Sequence, residues 1–263
     1  MSILSTQLRT LFVLTPAGRI ECENDPDRSP GPRLWFAGCL SENIAAVRSD
    51  VANDVANEII SVTAVEPLFT TPNQGPKYLD RYIHLLSRET PVPRETLGLI
   101  YDLPHQLEYK GPVELIDGDS QEGRRLYSSL SDHGMPEGLA ELGFRSASDL
   151  WHPWCIVRVH EELVSVAFAA RISELGAELG VATVKTSRGR GYAAAAVAGW
   201  SRLPMLQSRK LFYSTDVKTW RLGESLTGWA CGTSGLRCAF GNFEQSISSR
   251  GSKCEGLRLS KTS

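Results

Sequence analysis

The 263-residue chain has no long apolar run. Its uninterrupted apolar stretches are short, and even Val164 to Ala170 contains Ser165. A bilayer-spanning helix needs about 20 apolar residues, so a membrane span is excluded. Cysteine is scarce. The six thiols stand at 22, 39, 155, 231, 238 and 254 with no C-x-x-C among them. That is too sparse for a disulfide scaffold and lacks zinc-ligand spacing, so reduced cysteines, a cytoplasmic location and no metal are expected. There is little charge of either sign in excess. A net charge of -2 offers no electrostatic footprint for nucleic acid. The N-terminal apolar region contains Arg9 and no small-residue cleavage pattern, so no signal peptide is expected. Several catalytic motifs are missing too. No G-x-S-x-G occurs, no G-K-[ST] follows a glycine loop, and His160-Glu161-Glu162 is followed by Val164 where a zinc helix needs histidine.

What is present suits a globular chain: 41% hydrophobic and 22% charged residues. Thr10–Leu14, Arg33–Ala37 and Ile44–Arg48 read as strands around turn residues. Asp50 can cap a helix whose Val51, Val55 and Ile59 recur on one face. Prolines at 67, 72, 76, 91 and 93 mark an irregular connection with a short helix near Tyr78–Leu86. Further on, Leu97–Tyr101 and Val113–Ile116 are strand-like, and Asp119-Ser120 can start a helix through Leu130. Cys155–Val159 and Leu163–Ala170 form a hairpin whose turn, His160-Glu161-Glu162, lacks glycine. A strand Glu178–Val184, a polar loop Lys185–Arg190, an alanine-rich helix Tyr192–Leu203 and a strand Lys210–Thr215 follow.

The chemistry concentrates in the segment from Val181 to Ala193. A strand runs into a loop with Gly189 and Gly191, and the loop opens a helix. Such a loop leaves backbone N–H groups unpaired, and with the helix dipole behind them they suit a diphosphate. Arg188 and Arg190 add positive charge. The plainer alternative is an ordinary strand-to-helix turn with solvated arginines. The third glycine of a dinucleotide fingerprint is absent, and no βαβ unit opens there. His152 and His160 are weaker candidate bases, and Trp151 and Trp154 flank Pro153 as packing residues.

Arg188-x-x-Gly191-x-Ala193 resembles the R/Q-x-x-G-x-G/A loop of the GNAT acetyltransferase superfamily. Glu178–Thr183 looks like that superfamily's central strand, Phe212-Tyr-Ser-Thr215 like the strand beyond its helix, and the 155–170 hairpin like its second and third strands. The resemblance covers about residues 97–217. It implies an α/β (α+β) fold, with a mixed central sheet flanked by helices and an N-terminal α+β extension over 1–96. It further implies acetyl-CoA as co-substrate and an amine as acceptor. The diphosphate would rest on Arg188, Gly189, Arg190, Gly191, Tyr192 and Ala193, and the pantetheine arm would pair with Val181, Ala182, Thr183 and Val184. A backbone N–H there would stabilise the oxyanion. Glu178 is the first candidate base, alternatively a strand-end carboxylate or a substrate anchor; Tyr213 is the candidate acid, alternatively a half-buried strand residue. A CoA-binding or interaction protein without turnover, and a nucleotide-binding module, stand as alternatives.

The resemblance stops after Val217. The family continues with a helix of the form N-L-A-S-x-x-V-A-x-x-L-G-L, whereas Lys218–Gly235 shows no helical apolar face and repeated glycine. The stretch from 218 to 263 carries a net charge of +4 against -6 for the rest, and three of the six cysteines. Back-translation of Lys218–Gly235 with permitted codons, read two bases later, gives NLATRGVADGLGLRDFG. A one-base frameshift near Val217 is therefore expected, with 218–263 an atypical, non-native tail.

Overall fold

The computed structural model describes residues 2–70, 75–88, 91, 95–216 and 233–240. The described residues divide into two compact units. One draws on the described residues up to 103, on 171–178, 212–216 and 233–240, the other on 104–170 and 179–211.

The first unit opens with helix α1 (Ile3–Leu11), which the sequence pattern did not signal; the strand expected at Thr10–Leu14 is only β1 (Phe12–Leu14). The Ser2 side chain accepts from the Ser5 N–H at 3.1 Å and starts the helix. Its Leu4 and Leu11 then pack with Phe12, Ile20, Trp35, Ile100 and Phe212. Strand β1 pairs antiparallel with β2 (Ile20–Glu23). Strands β3 (Leu34–Gly38) and β4 (Asn43–Val47) pair antiparallel, close to the expected positions. Helix α2 (Asn53–Ala64) begins after Ala52 rather than at Asp50, because the Asp50 carboxylate is engaged by Arg48 at 2.8 Å. Helix α3 (Leu79–Ser87) and strand β5 (Glu95–Leu103) complete the first stretch.

The second unit carries β6 (Glu114–Asp117), α4 (Gln121–His133), α5 (Glu137–Glu141) and the hairpin β7 (Trp154–Val159) and β8 (Glu162–Ile172). Ser120 is the N-cap of α4, accepting from Gly123 N–H at 2.9 Å. The hairpin turns without glycine: His160 and Glu161 both take positive φ, 48° and 66°, as a two-residue type I′ turn requires. Ile116, Leu130, Leu139, Phe144, Trp154, Ile156, Val166 and Ala182 form the apolar core. Strand β9 (Gly176–Thr183), helix α6 (Tyr192–Trp200) and strand β10 (Lys210–Asp216) follow. Strands β8, β9 and β10 each have residues in both units.

Residues 233–240 form strand β11, antiparallel to β3 on one side and β5 on the other. Leu236 stands opposite Gly38 and opposite Leu99. Within β11, Leu236, Cys238 and Phe240 repeat every second residue, the period of a strand. The rest of 218–263, including the stretch read as frameshifted up to 232, lies outside the described residues.

Candidate functional site

The loop after β9 is shaped by its two glycines. Gly189 and Gly191 take φ of 76° and 81°, a region that L side chains rarely adopt. Gly191 is thereby the N-cap of α6, and the first helical bond runs from Ala195 N–H to its carbonyl at 3.0 Å. The backbone N–H groups from Gly189 through Ala194 have no hydrogen-bond partner among the described residues. A Cβ placed on Gly189 would meet open space. The loop thus offers a row of unpaired donors at the positive end of a helix, which fits a diphosphate.

Arg188 is not simply solvated. Its Nε donates to the Thr183 carbonyl at 3.1 Å, pinning the loop to the end of β9. Arg190 is exposed. Val181 and Ala182 are buried, and Thr183 and Val184 are half-buried. Several backbone groups proposed for the pantetheine arm already have partners. Ser165 Oγ donates to the Ala182 carbonyl at 3.0 Å, Arg188 occupies the Thr183 carbonyl, and the Val184 N–H donates to the Val164 carbonyl at 2.9 Å. A carbonyl oxygen retains a second lone pair, so Ala182 and Thr183 can still accept from an amide.

Tyr109 is a residue that no sequence pattern flagged. Its ring lies 3.6 Å from where a Cβ on Gly191 would sit. The segment that carries it is anchored at the far end of α6: the Leu107 N–H donates to Oγ of Ser201, the residue after the helix, at 3.0 Å. Gly111 permits the arrangement, because a Cβ there would come within 2.3 Å of the Tyr109 hydroxyl.

Glu178 and Tyr213 belong to the first unit. Glu178 is 4% exposed, and its Oε2 accepts from Arg171 Nη1 at 2.7 Å. The other terminal nitrogen of Arg171 donates to Glu23. Burial works against the charge on Arg171, but Glu23 and Glu178 outweigh it and hold the guanidinium protonated. An ion pair with a guanidinium suits an anchoring carboxylate as well as a base, and the geometry alone leaves both roles open to Glu178. Tyr213 is buried and stacks on Tyr101, with ring centroids 6.4 Å apart. Burial pushes the Tyr101 phenol up.

The weaker candidates are placed plainly. His152 Nε2 lies 2.8 Å from Asp119 Oδ1 at the surface, and His160 forms the hairpin turn. Trp154 is buried in the core and Trp151 packs edge-on against Phe168. Cys22, Cys39 and Cys155 are free thiols. Among the described residues no group of three or more His, Cys, Asp or Glu is placed to hold a metal ion, and no helix is long and apolar enough to cross a membrane.

The second unit therefore runs strand, two helices, antiparallel hairpin, strand, glycine loop and helix, with β10 next along the chain. The described residues form a mixed α+β fold. No family profile and no curated protein sequence matches the chain. Solved structures do resemble it. A GCN5-related N-acetyltransferase-like protein from Streptococcus suis is 15% identical, with a TM-score of 0.44, over 82% of this chain and 86% of its own. A GNAT-family acetyltransferase from Novosphingobium aromaticivorans is 13% identical, with a TM-score of 0.42, over 57% of this chain and 65% of its own. One from Colwellia psychrerythraea is 11% identical, with a TM-score of 0.38, over 75% of each chain. Likeness at this level says nothing of the reaction.

Proposed function

We propose that this chain is an acyl-CoA-dependent N-acetyltransferase that acts on an amine. The observation that carries the reading is the β9–loop–α6 junction, with its unpaired N–H groups from Gly189 through Ala194 and Arg188 fixed beside them. Those donors would hold the diphosphate of CoA, and the end of β9 would orient its arm. The co-substrate supplies an acetyl thioester. In the transfer the amine nitrogen bonds to the acetyl carbon, the carbon–sulfur bond breaks, the amine loses a proton and the thiolate gains one. Glu178 is the proposed acceptor of the amine proton and Tyr213 the proposed donor to sulfur, each directly or through water.

A second reading, a CoA-binding protein without turnover, is favoured by the burial of Glu178 and its bond to Arg171. The test is a thermal shift with acetyl-CoA, followed by thiol release on a panel of primary amines. Stabilisation with turnover supports the transferase, stabilisation alone supports the second reading, and neither overturns both. We also propose that the natural chain continues after Val217 in the shifted frame; the gene's nucleotide sequence tests this directly. The pairing of β11 on both edges favours the opposite view, that the tail is an integral element.

A further inference from the structure

A polar seam in the first unit ties the start of the chain to the carboxylate on β9. Three consecutive residues at and just after the end of β8 are each gripped by a residue from the first 24. Arg171 donates to Glu23. Asn24 Nδ2 donates to the Ile172 carbonyl at 2.8 Å and to the Thr10 carbonyl at 3.1 Å. Ser173 Oγ lies 3.0 Å from Thr10 Oγ1. The same Arg171 guanidinium donates to Glu178 at 2.7 Å. The Glu23 side chain is 1% exposed and that of Glu178 6%.

A guanidinium at the end of a long side chain can turn about several torsions. One carboxylate partner leaves it that freedom. A second, bound to the other arm of the planar fork, fixes the plane. Burying a carboxylate at Glu23 is costly unless it is paired, and a simple apolar residue would fill the same space without that cost. Glu23 therefore does something here that apolar packing would not.

We propose that Glu23 is a positioning residue. It fixes the Arg171 guanidinium, which in turn sets the orientation of the Glu178 carboxylate, while Asn24 holds the strand end that carries Arg171. The proposal rests on the reading of Glu178 as the base. It makes the N-terminal segment part of the site rather than a separate appendage, and it gives that segment a task the loop motif does not reveal.

The test uses the full chain and its E23Q, E23D, N24A and E178Q variants. Acetyl-CoA transfer is followed on glycine, spermidine and a peptide with a free N-terminus, with melting curves recorded alongside. E23Q is expected to lower kcat about tenfold while leaving the KM for acetyl-CoA unchanged, since misorientation of a catalytic group is lost from the chemical step. E23D, which keeps the charge, should recover most of that loss, and N24A should lie between. A folded E23Q with kcat within twofold of the parent overturns the proposal and leaves Glu178 in place. So does a loss that merely follows the unfolded fraction. If E23Q does not fold, N24A decides: lowered kcat at unchanged KM supports the proposal, and parental kcat overturns it. Parental activity in E178Q removes the base reading and the proposal with it. A full chain that binds acetyl-CoA without transferring acetyl to any of the three amines does the same.

Discussion

Two arginines in this molecule each hold two glutamates, and they live in opposite surroundings. Arg171 sits between Glu23 and Glu178, with side-chain exposures of 15%, 1% and 6%. Arg158 sits between Glu114 and Glu122, with exposures of 22%, 48% and 47%. The inventory of charges is the same, so any difference in behaviour comes from water. In the buried triad each charge depends on the others for what solvent would have supplied. In the exposed triad the glutamates keep most of their hydration, and salt screens what attraction remains. A functional arrangement needs the first kind, because an orientation that water can replace is not fixed.

The largest effect is expected from Arg171→Met. It leaves two buried carboxylates without their cation, and about 3–5 kcal/mol of stability should be lost. A melting curve should fall by about 10 °C or more. The triple replacement of Glu23, Arg171 and Glu178 by apolar residues of similar volume should recover most of that loss, since the triad's attraction roughly offsets its desolvation. Equal destabilisation by the single and the triple variant would show that the triad itself contributes net stability, and the contrast with Arg158 would need another cause.

A buried ionisable group with no counter-charge sharpens the comparison from the other side. Cys155 is buried against α6, so close that a Cβ on Gly199 would lie 2.4 Å from its Sγ. Burial, helped by Asp117, pushes its thiol up from 9.0 to about 12. The neutral thiol is therefore the folded form. Below pH 9 the site costs nothing; as pH rises from 9 toward 12 the unfolded chain ionises and the folded one does not, so stability falls. At pH 10.5 the loss should be about 2 kcal/mol. Urea unfolding of the parent and of Cys155→Ala across this range should show a steeper alkaline decline in the parent. Parallel declines would mean that the thiol titrates freely.

How much of this was legible in the sequence follows from the range of the forces involved. The hairpin, α4 with its Ser120 cap, and the strand–loop–helix around Gly191 are set by local periodicity, capping and glycine, and they can be read along the chain. Helix α1 carries Thr6, Gln7 and Thr10 on its buried face, which break an apolar period; Gln7 and Thr10 meet Ser214 and Ser173 only in the folded chain. Arg171 was missed for a related reason. It is a charged residue near the end of an apolar run, and nothing local shows that it meets Glu23, 148 positions away. Tyr109 depends on Gly111 and on an anchor at Ser201, again across the chain. Strand β11 lies in a stretch that the sequence reading assigns to no element, and its two partners, β3 and β5, are far away along the chain.

Gly191→Leu tests a position where exposure makes stability cheap and ligand contact expensive. Gly191 is exposed, so the left-handed conformation is the main cost of the change, about 1 kcal/mol. The new side chain would also start 3.6 Å from the Tyr109 ring and stand beside the free N–H groups. CoA affinity measured by calorimetry should fall at least tenfold while the melting curve moves by only a few degrees. Unchanged affinity would remove the loop from the site. A collapse of the fold would mean that Gly191 belongs with the buried triad in its energetic weight, not with the surface.

The smallest effect should come from Arg158→Ala. Arg158 on β7 stands directly opposite Glu114 on β6, and both oxygens of that carboxylate accept from it, at 2.6 and 2.7 Å. Its hydrogen bond holds the Glu114 carboxyl below the usual range, so the contribution is present above the ordinary glutamate range and is lost as pH falls through the depressed value. The geometry is as good as that around Arg171, which isolates exposure as the variable. An exposed pair still gains modest Coulomb energy and gives back side-chain entropy, so the melting temperature should drop by no more than about 2 °C at low salt. The difference from the parent should shrink further in 0.5 M sodium chloride, where the screening length is only about 4 Å. A drop as large as that of Arg171→Met, unaffected by salt, would mean that geometry rather than water decides the weight of an arginine between two glutamates.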